Sequence, residues 1–172
     1  MNQHPNFVLV IIVALITLST ACIVARAEQD EWLGAFQDWT AVSFIEDGHQ
    51  NCYIVSQPKK EEGNYTQRGP VYVQVTRRHG DTTEVVSFQA GYRFKEESEI
   101  NVRIEGDSYK LFTDSEMAWA WDEDGDKKLI ASMRQGKKMV VVGTSWRGTE
   151  TTDTYSLFGF TRAYKKLLDA CS

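Results

Sequence analysis

The stretch GTSWRGTETTDTYSLFGF runs from Gly143 to Phe160, directly after Val140-Val141-Val142, and is dense in Ser, Thr and Tyr hydroxyls. It admits three readings: a nucleophile loop, a phosphate cradle, or β-structure with a polar face. A nucleophile elbow needs glycine two residues to each side of the serine so that a strained strand-to-helix turn can form. Gly143-Thr144-Ser145 meets the first half, but Arg147 stands at the second glycine position and Gly148 comes one residue late. A phosphate loop needs Lys and Ser or Thr after its last glycine, whereas Gly148 is followed by Thr149-Glu150. The β reading meets no such obstacle. Met139 to Arg147 forms one strand, Arg147-Gly148-Thr149-Glu150 turns, and Thr151 to Phe160 returns. Met139, Val141, Gly143 and Ser145 then share one face, and Tyr155, Leu157 and Gly159 share a face of the return strand. Threonine is β-branched and suits a half-exposed pleated surface, so the hydroxyls fill strands and pair across them. A serine hydrolase centred on Ser145 is the least supported alternative, since a triad would have to draw on His49 or His79.

Outward from this hairpin the same period of two recurs. Val71, Val73 and Val75 alternate with Tyr72, Gln74 and Thr76, and Ile100, Val102 and Ile104 alternate further on. Trp39–Ile45, Asn51–Gln57, Glu84–Ala90, Tyr109–Thr113 and Met117–Trp121 read as further β elements, separated by turns such as Glu46-Asp47-Gly48 and Glu105-Gly106-Asp107. Asp30–Asp38 reads as a lead-in whose Trp32 and Phe36 cover the core edge, and the charged Pro58–Arg68 reads as a loop. Leu129–Gln135 followed by Gly136 predicts one or two helical turns, and Thr161–Ala170 predicts a short C-terminal helix. Many short strands with frequent turns predict an all-β sandwich.

Phe7–Leu18 is twelve uncharged residues followed by Ala25-Arg26-Ala27. This predicts an export signal over residues 1–27, cleaved after Ala27, and one domain over 28–172. Ala21-Cys22 offers a second reading, a lipid anchor at Cys22. Loss of residues 1–27 removes Arg26 and no acid, so 18 Lys+Arg face 24 Asp+Glu and the remaining chain carries −6. Such an acidic domain is not built to bind nucleic acid. Cys52 and Cys171 are an even pair in an exported chain and predict a disulfide. Two buried thiols or a redox pair are the alternatives, though redox pairs are usually close in sequence.

No metal or cofactor is expected: His49 and His79 are thirty residues apart with no cysteine at ligand spacing. Asp122-Glu123-Asp124-Gly125-Asp126 is acidic, but an EF-hand loop begun at Asp122 puts Gly125 at position 4 and Met133 at position 12. A solvated acidic turn fits better. Asn64-Tyr65-Thr66 is a glycosylation sequon that matters only if the source glycosylates exported proteins. Among the five tryptophans, Trp119, Trp121 and Trp146, with Arg147, are candidate surface contacts.

Gln57-Pro58-Lys59-Lys60, Arg68-Gly69-Pro70-Val71-Tyr72, Gly143-Thr144-Ser145, Arg147-Gly148-Thr149, Asp153–Leu157 and Gly159-Phe160 occur in the order found in one family. Over Phe36–Cys171 the chain resembles the invasion associated locus B family, exported proteins of Gram-negative, chiefly alphaproteobacterial, cells. The resemblance implies an immunoglobulin-like β-sandwich and a periplasmic, secreted or outer-membrane-associated location. It also implies a role in host-cell invasion or in the envelope, with no catalytic residues, and it assigns Gly143, Gly148 and Gly159 to backbone geometry. The expected partner is a protein or glycan of a host surface or of the bacterial envelope. A carbohydrate- or envelope-polymer-binding module is the alternative.

Overall fold

The computed structural model describes residues 30–171, so the export signal, the cleavage after Ala27 and Cys22 lie outside the described residues. Eleven strands form one antiparallel sheet: β1 (Glu31–Phe36), β2 (Trp39–Glu46), β3 (His49–Ser56), β4 (Lys60–Gly63), β5 (Tyr72–Arg77), β6 (Val85–Gln89), β7 (Glu99–Ile104), β8 (Asp107–Asp114), β9 (Met117–Trp119), β10 (Lys138–Thr144) and β11 (Glu150–Ser156). Their spatial order is β1-β2-β3-β5-β6-β9-β8-β7-β10-β11-β4. Helix α1 (Glu123–Gln135) enters between β9 and β10, and α2 (Phe160–Ala170) is the last element of the described residues.

The sheet folds over on itself into an all-β, sandwich-like body. Phe88 and Ala90 from the β6 side border the same small void as Val141 of β10 and Tyr155 of β11. Trp39 Nε1 donates to Ser156 O at 3.1 Å, and Asp38 N donates to Phe158 O at 3.2 Å, which joins the start of β2 to the end of β11. The expected alternation sets the interior: Met139, Val141 and Gly143 of β10 face inward, and the half-buried Val140, Val142 and Thr144 face the other way. On β11 the inward set is Thr151, Asp153 and Tyr155, so an acid stands in the apolar layer.

Helix α2 closes the body over β1, β2 and β3. Its buried Phe160, Ala163 and Leu167 face inward, and Phe160 meets Trp39 edge-on at 4.8 Å between ring centroids. Gly159 opens this helix at φ +94°, and a Cβ there would collide with Phe36 O, so only glycine fits. Cys171, just past the helix, bonds to Cys52 of β3 across 119 residues of sequence.

Five expectations change. Asp30–Asp38 is not a lead-in but contains β1, whose Trp32 is 67% exposed while Leu33 and Phe36 pack on the core. The charged Pro58–Arg68 contains edge strand β4, paired to β11 from Lys60↔Thr154 to Gly63↔Thr151. The turn or two of helix before Gly136 is a thirteen-residue helix. Asp122 caps it by accepting from Gly125 N at 2.7 Å, and Asp126 of its first turns accepts from Val86 N at 2.9 Å. The acidic stretch is therefore a helix start rather than a solvated turn. Gly143 has ordinary backbone angles; its hydrogen makes room for Phe94, Ile100 and Tyr92.

Candidate functional site

The segment between β4 and β5 carries Arg68 inward until its side chain is 4% exposed. A buried guanidinium needs its donors filled. Nη1 and Nη2 each donate to one oxygen of Asp153 at 2.6 Å, and Nε donates to Ala90 O at 2.6 Å. The guanidinium also lies over two rings, with its carbon 5.6 Å from the Tyr65 centroid and 5.0 Å from that of Tyr92. Burial opposes the charge, but hydrogen bonding and attraction from Asp153 outweigh it and raise the pKa, so Arg68 stays protonated. Tyr92 shares its hydroxyl with Thr151 at 2.6 Å, and burial pushes the phenol pKa up against Thr151 and Arg68.

The backbones behind this cluster approach closely. Gly69 N donates to Gly91 O at 2.8 Å, and Gly91 has φ +70°; a Cβ on it would strike the Gly69 carbonyl. Opposite stands the turn between β10 and β11. Ser145 N donates to Thr149 O at 2.9 Å, Gly148 N to Ser145 O at 2.8 Å, and Thr149 N to Ser145 Oγ at 3.2 Å. Trp146 N donates to Arg93 O at 2.9 Å, which fixes the base of an indole that is 60% exposed. The Arg147 guanidinium lies 4.8 Å from that ring's centroid. Between the Asn64–Gly69 segment and this turn is a cleft of about 540 Å³, open to solvent. Its size falls within the ordinary range of ligand clefts.

Three segments far apart in sequence therefore meet at one place, and all three lie within the region of a family match. The family model for the invasion associated locus B protein matches residues 39–168. The chain belongs to the invasion associated locus B family. The crystal structure of invasion associated protein b from Bartonella henselae matches with a TM-score of 0.55, at 16% identity, over 79% of this chain and 94% of that one. At that identity the likeness is one of fold. No curated protein sequence matches the chain.

In this invasion associated locus B protein the candidate contact residues fall into two groups. Trp146 and Arg147 stand on the rim of the cleft. Trp119 and Trp121 pack instead on Phe112, at 5.7 and 5.1 Å between centroids, and Trp121 is 66% exposed. Ser145 is 7% exposed, and its hydroxyl serves the turn; among the described residues no imidazole or carboxylate hydrogen-bonds to it. His49 and His79 stack on each other, 4.4 Å between centroids, beside Asn51, whose Oδ1 accepts from His79 N. Among the described residues no group of three or more His, Cys, Asp or Glu is placed to hold a metal.

The sequence reading missed the Arg68–Asp153 pair. Its signal was present: Asp153 is two residues before Tyr155 and so shares the inward face of β11, and an acid on that face requires a cation.

Proposed function

We propose that this chain is an exported, non-enzymatic binding protein of the bacterial envelope, and that the cleft beside Trp146 and Arg147 holds its macromolecular partner. One observation carries the reading. Arg68, Tyr65 and Tyr92, held from behind by Asp153, form one wall of a cleft whose other rim is an exposed Trp–Arg stack. Aromatic and arginine side chains on a preorganised frame are the usual anchors of recognition. The Cys52–Cys171 disulfide favours an oxidising compartment, the periplasm or beyond it.

The sheet edges are poorer docking surfaces. β4 has only four residues, three of them charged, and β1 carries a register shift between Trp32 and Gly34. Both features blunt an edge against strand addition.

The test is photo-crosslinking with oxidised protein carrying a photoreactive residue at Thr149 or, as a control, at Lys166 on α2. Each is exposed to the source cell's envelope and to host-cell membranes. Saturable capture from Thr149 and not from Lys166 is expected, and the material that supplies the partner separates an envelope role from an invasion role. Equal capture from both positions would overturn the assignment of the cleft.

A further inference from the structure

Trp146 borders two concavities, the cleft described above and a second hollow formed with Arg93, Phe94, Lys95 and Glu96. An extended ligand can therefore cross the indole and occupy both. The charge along this path runs against that of the whole chain, which carries a net −5. Arg93, Lys95 and Arg147 are all exposed, and Glu96 is the one acid lining either hollow. It reaches Arg93 only at 3.7 Å, between side chains 66% and 88% exposed, a contact of little energy. Arg68 adds no free charge, because Asp153 neutralises it.

The cleft also offers neutral groups that both donate and accept. Among the described residues, the side chains of Asn64, Thr66 and Gln67 make no hydrogen bond within the protein. Amides and hydroxyls of this kind match sugar hydroxyls, which likewise donate and accept. An acidic peptide would ask mainly for cations and backbone partners, and an anionic membrane for apolar side chains that insert.

We propose that the partner held at this cleft is an acidic glycan, a chain of carboxylate-bearing sugars. It lies across Trp146, with carboxylates paired to Arg147 on one side and to Arg93 and Lys95 on the other. Its hydroxyls meet Asn64, Thr66 and Gln67. This rests on the assignment of the cleft as the binding surface and names the chemistry of what binds there.

The test uses the oxidised protein and four probes: an oligouronate, the same oligosaccharide with its carboxyls reduced, a polyglutamate peptide of equal charge, and vesicles of phosphatidylglycerol in phosphatidylcholine. Binding is followed by calorimetry and indole fluorescence at several salt concentrations. The oligouronate is expected to bind, with affinity falling as salt rises. Each of Arg93→Ala, Lys95→Ala and Arg147→Ala should weaken it by roughly two- to fivefold, and the triple variant by more than tenfold. Trp146→Ala should weaken it while Trp121→Ala leaves it unchanged. These side chains are exposed, and unchanged thermal melting will show that the variants fold. Equal binding of polyglutamate or vesicles, indifference to Trp146→Ala, or no oligouronate binding would overturn the proposal. Absent oligouronate binding together with capture from Thr149 would overturn the glycan alone; absence of both would overturn the cleft as well.

Discussion

Replacing Asp153 by alanine should be among the most damaging single changes in this protein. The substitution leaves the Arg68 side chain, 4% exposed, with only the half-exposed Glu61 carboxylate 3.5 Å from Nη1. The raised pKa of Arg68 means that it cannot escape by losing its proton. Breaking a buried pair by removing one partner costs about 3–5 kcal/mol, because the remaining charge stays desolvated. Unfolding entropy of about 2.1 cal/mol/K per residue gives the 142 described residues roughly 0.3 kcal/mol/K, so the melting temperature should fall by about 10–17 °C. The control is Asp169→Ala, which removes the Lys165–Asp169 pair between exposed side chains at 2.7 Å and should cost less than about 1 kcal/mol. A double variant, Arg68→Met with Asp153→Leu, leaves no buried charge and should recover much of the loss. Thermal and urea melts followed by circular dichroism on oxidised protein measure all three. If Asp153→Ala costs no more than Asp169→Ala, water or Glu61 compensates Arg68 fully and the pair with Asp153 is not what holds the charge.

Three further outcomes follow from the fold. Reducing Cys52–Cys171 frees a loop of 119 residues and should lower stability by about 4–5 kcal/mol on the chain-entropy account; urea midpoints that coincide with and without reductant would contradict this. Burial raises the pKa of Asp126 above 3.8 despite the Val86 N–H, so the folded state holds this proton more tightly than the unfolded chain does. Its contribution favours folding at acid pH and becomes a cost as pH rises through the folded pKa, so Asp126→Asn, which keeps an acceptor for Val86, should stabilise at pH 7 and not at pH 3. A penalty at pH 7 that shrinks at pH 3 would show that the fold favours the ionised carboxylate and would contradict the raised pKa. Gly91→Ala forces a side chain to φ +70° and against the Gly69 carbonyl; it should cost at least about 1–2 kcal/mol in urea melts, and a neutral result would mean that the loop behind the cleft is free to move.

The sequence made the β10–β11 hairpin legible because its inward face follows a strict period of two, from Met139 to Gly143 and from Thr151 to Tyr155. The C-terminal helix was legible for a similar reason, since Ala163, Tyr164, Leu167 and Leu168 recur at helical spacing. Elements whose stability comes from a partner were not. β4 is Lys-Glu-Glu-Gly and has no strand propensity of its own; it exists because β11 offers it a ladder. The first half of α1 was hidden because its acids look like a solvated turn until Asp122 is placed as a cap and Asp126 as the acceptor for β6. At the site, Trp146 and Arg147 were visible as exposed-contact candidates, while Arg68 and Asp153 lie 85 positions apart and no local pattern joins them. Only the folded sheet brings the three segments of the cleft together.

We propose the cleft beside Trp146, and not the aromatic cluster at Phe112, Trp119 and Trp121, as the binding surface. A residue-resolved NMR titration of the oxidised, isotope-labelled protein with solubilised envelope polymer tests it most directly. Shifts should concentrate at the Trp146 indole N–H, Arg147 and Asn64–Gln67, with the Trp119 and Trp121 indoles unmoved. Shifts centred on Trp119 and Trp121, with a silent Trp146, would contradict it.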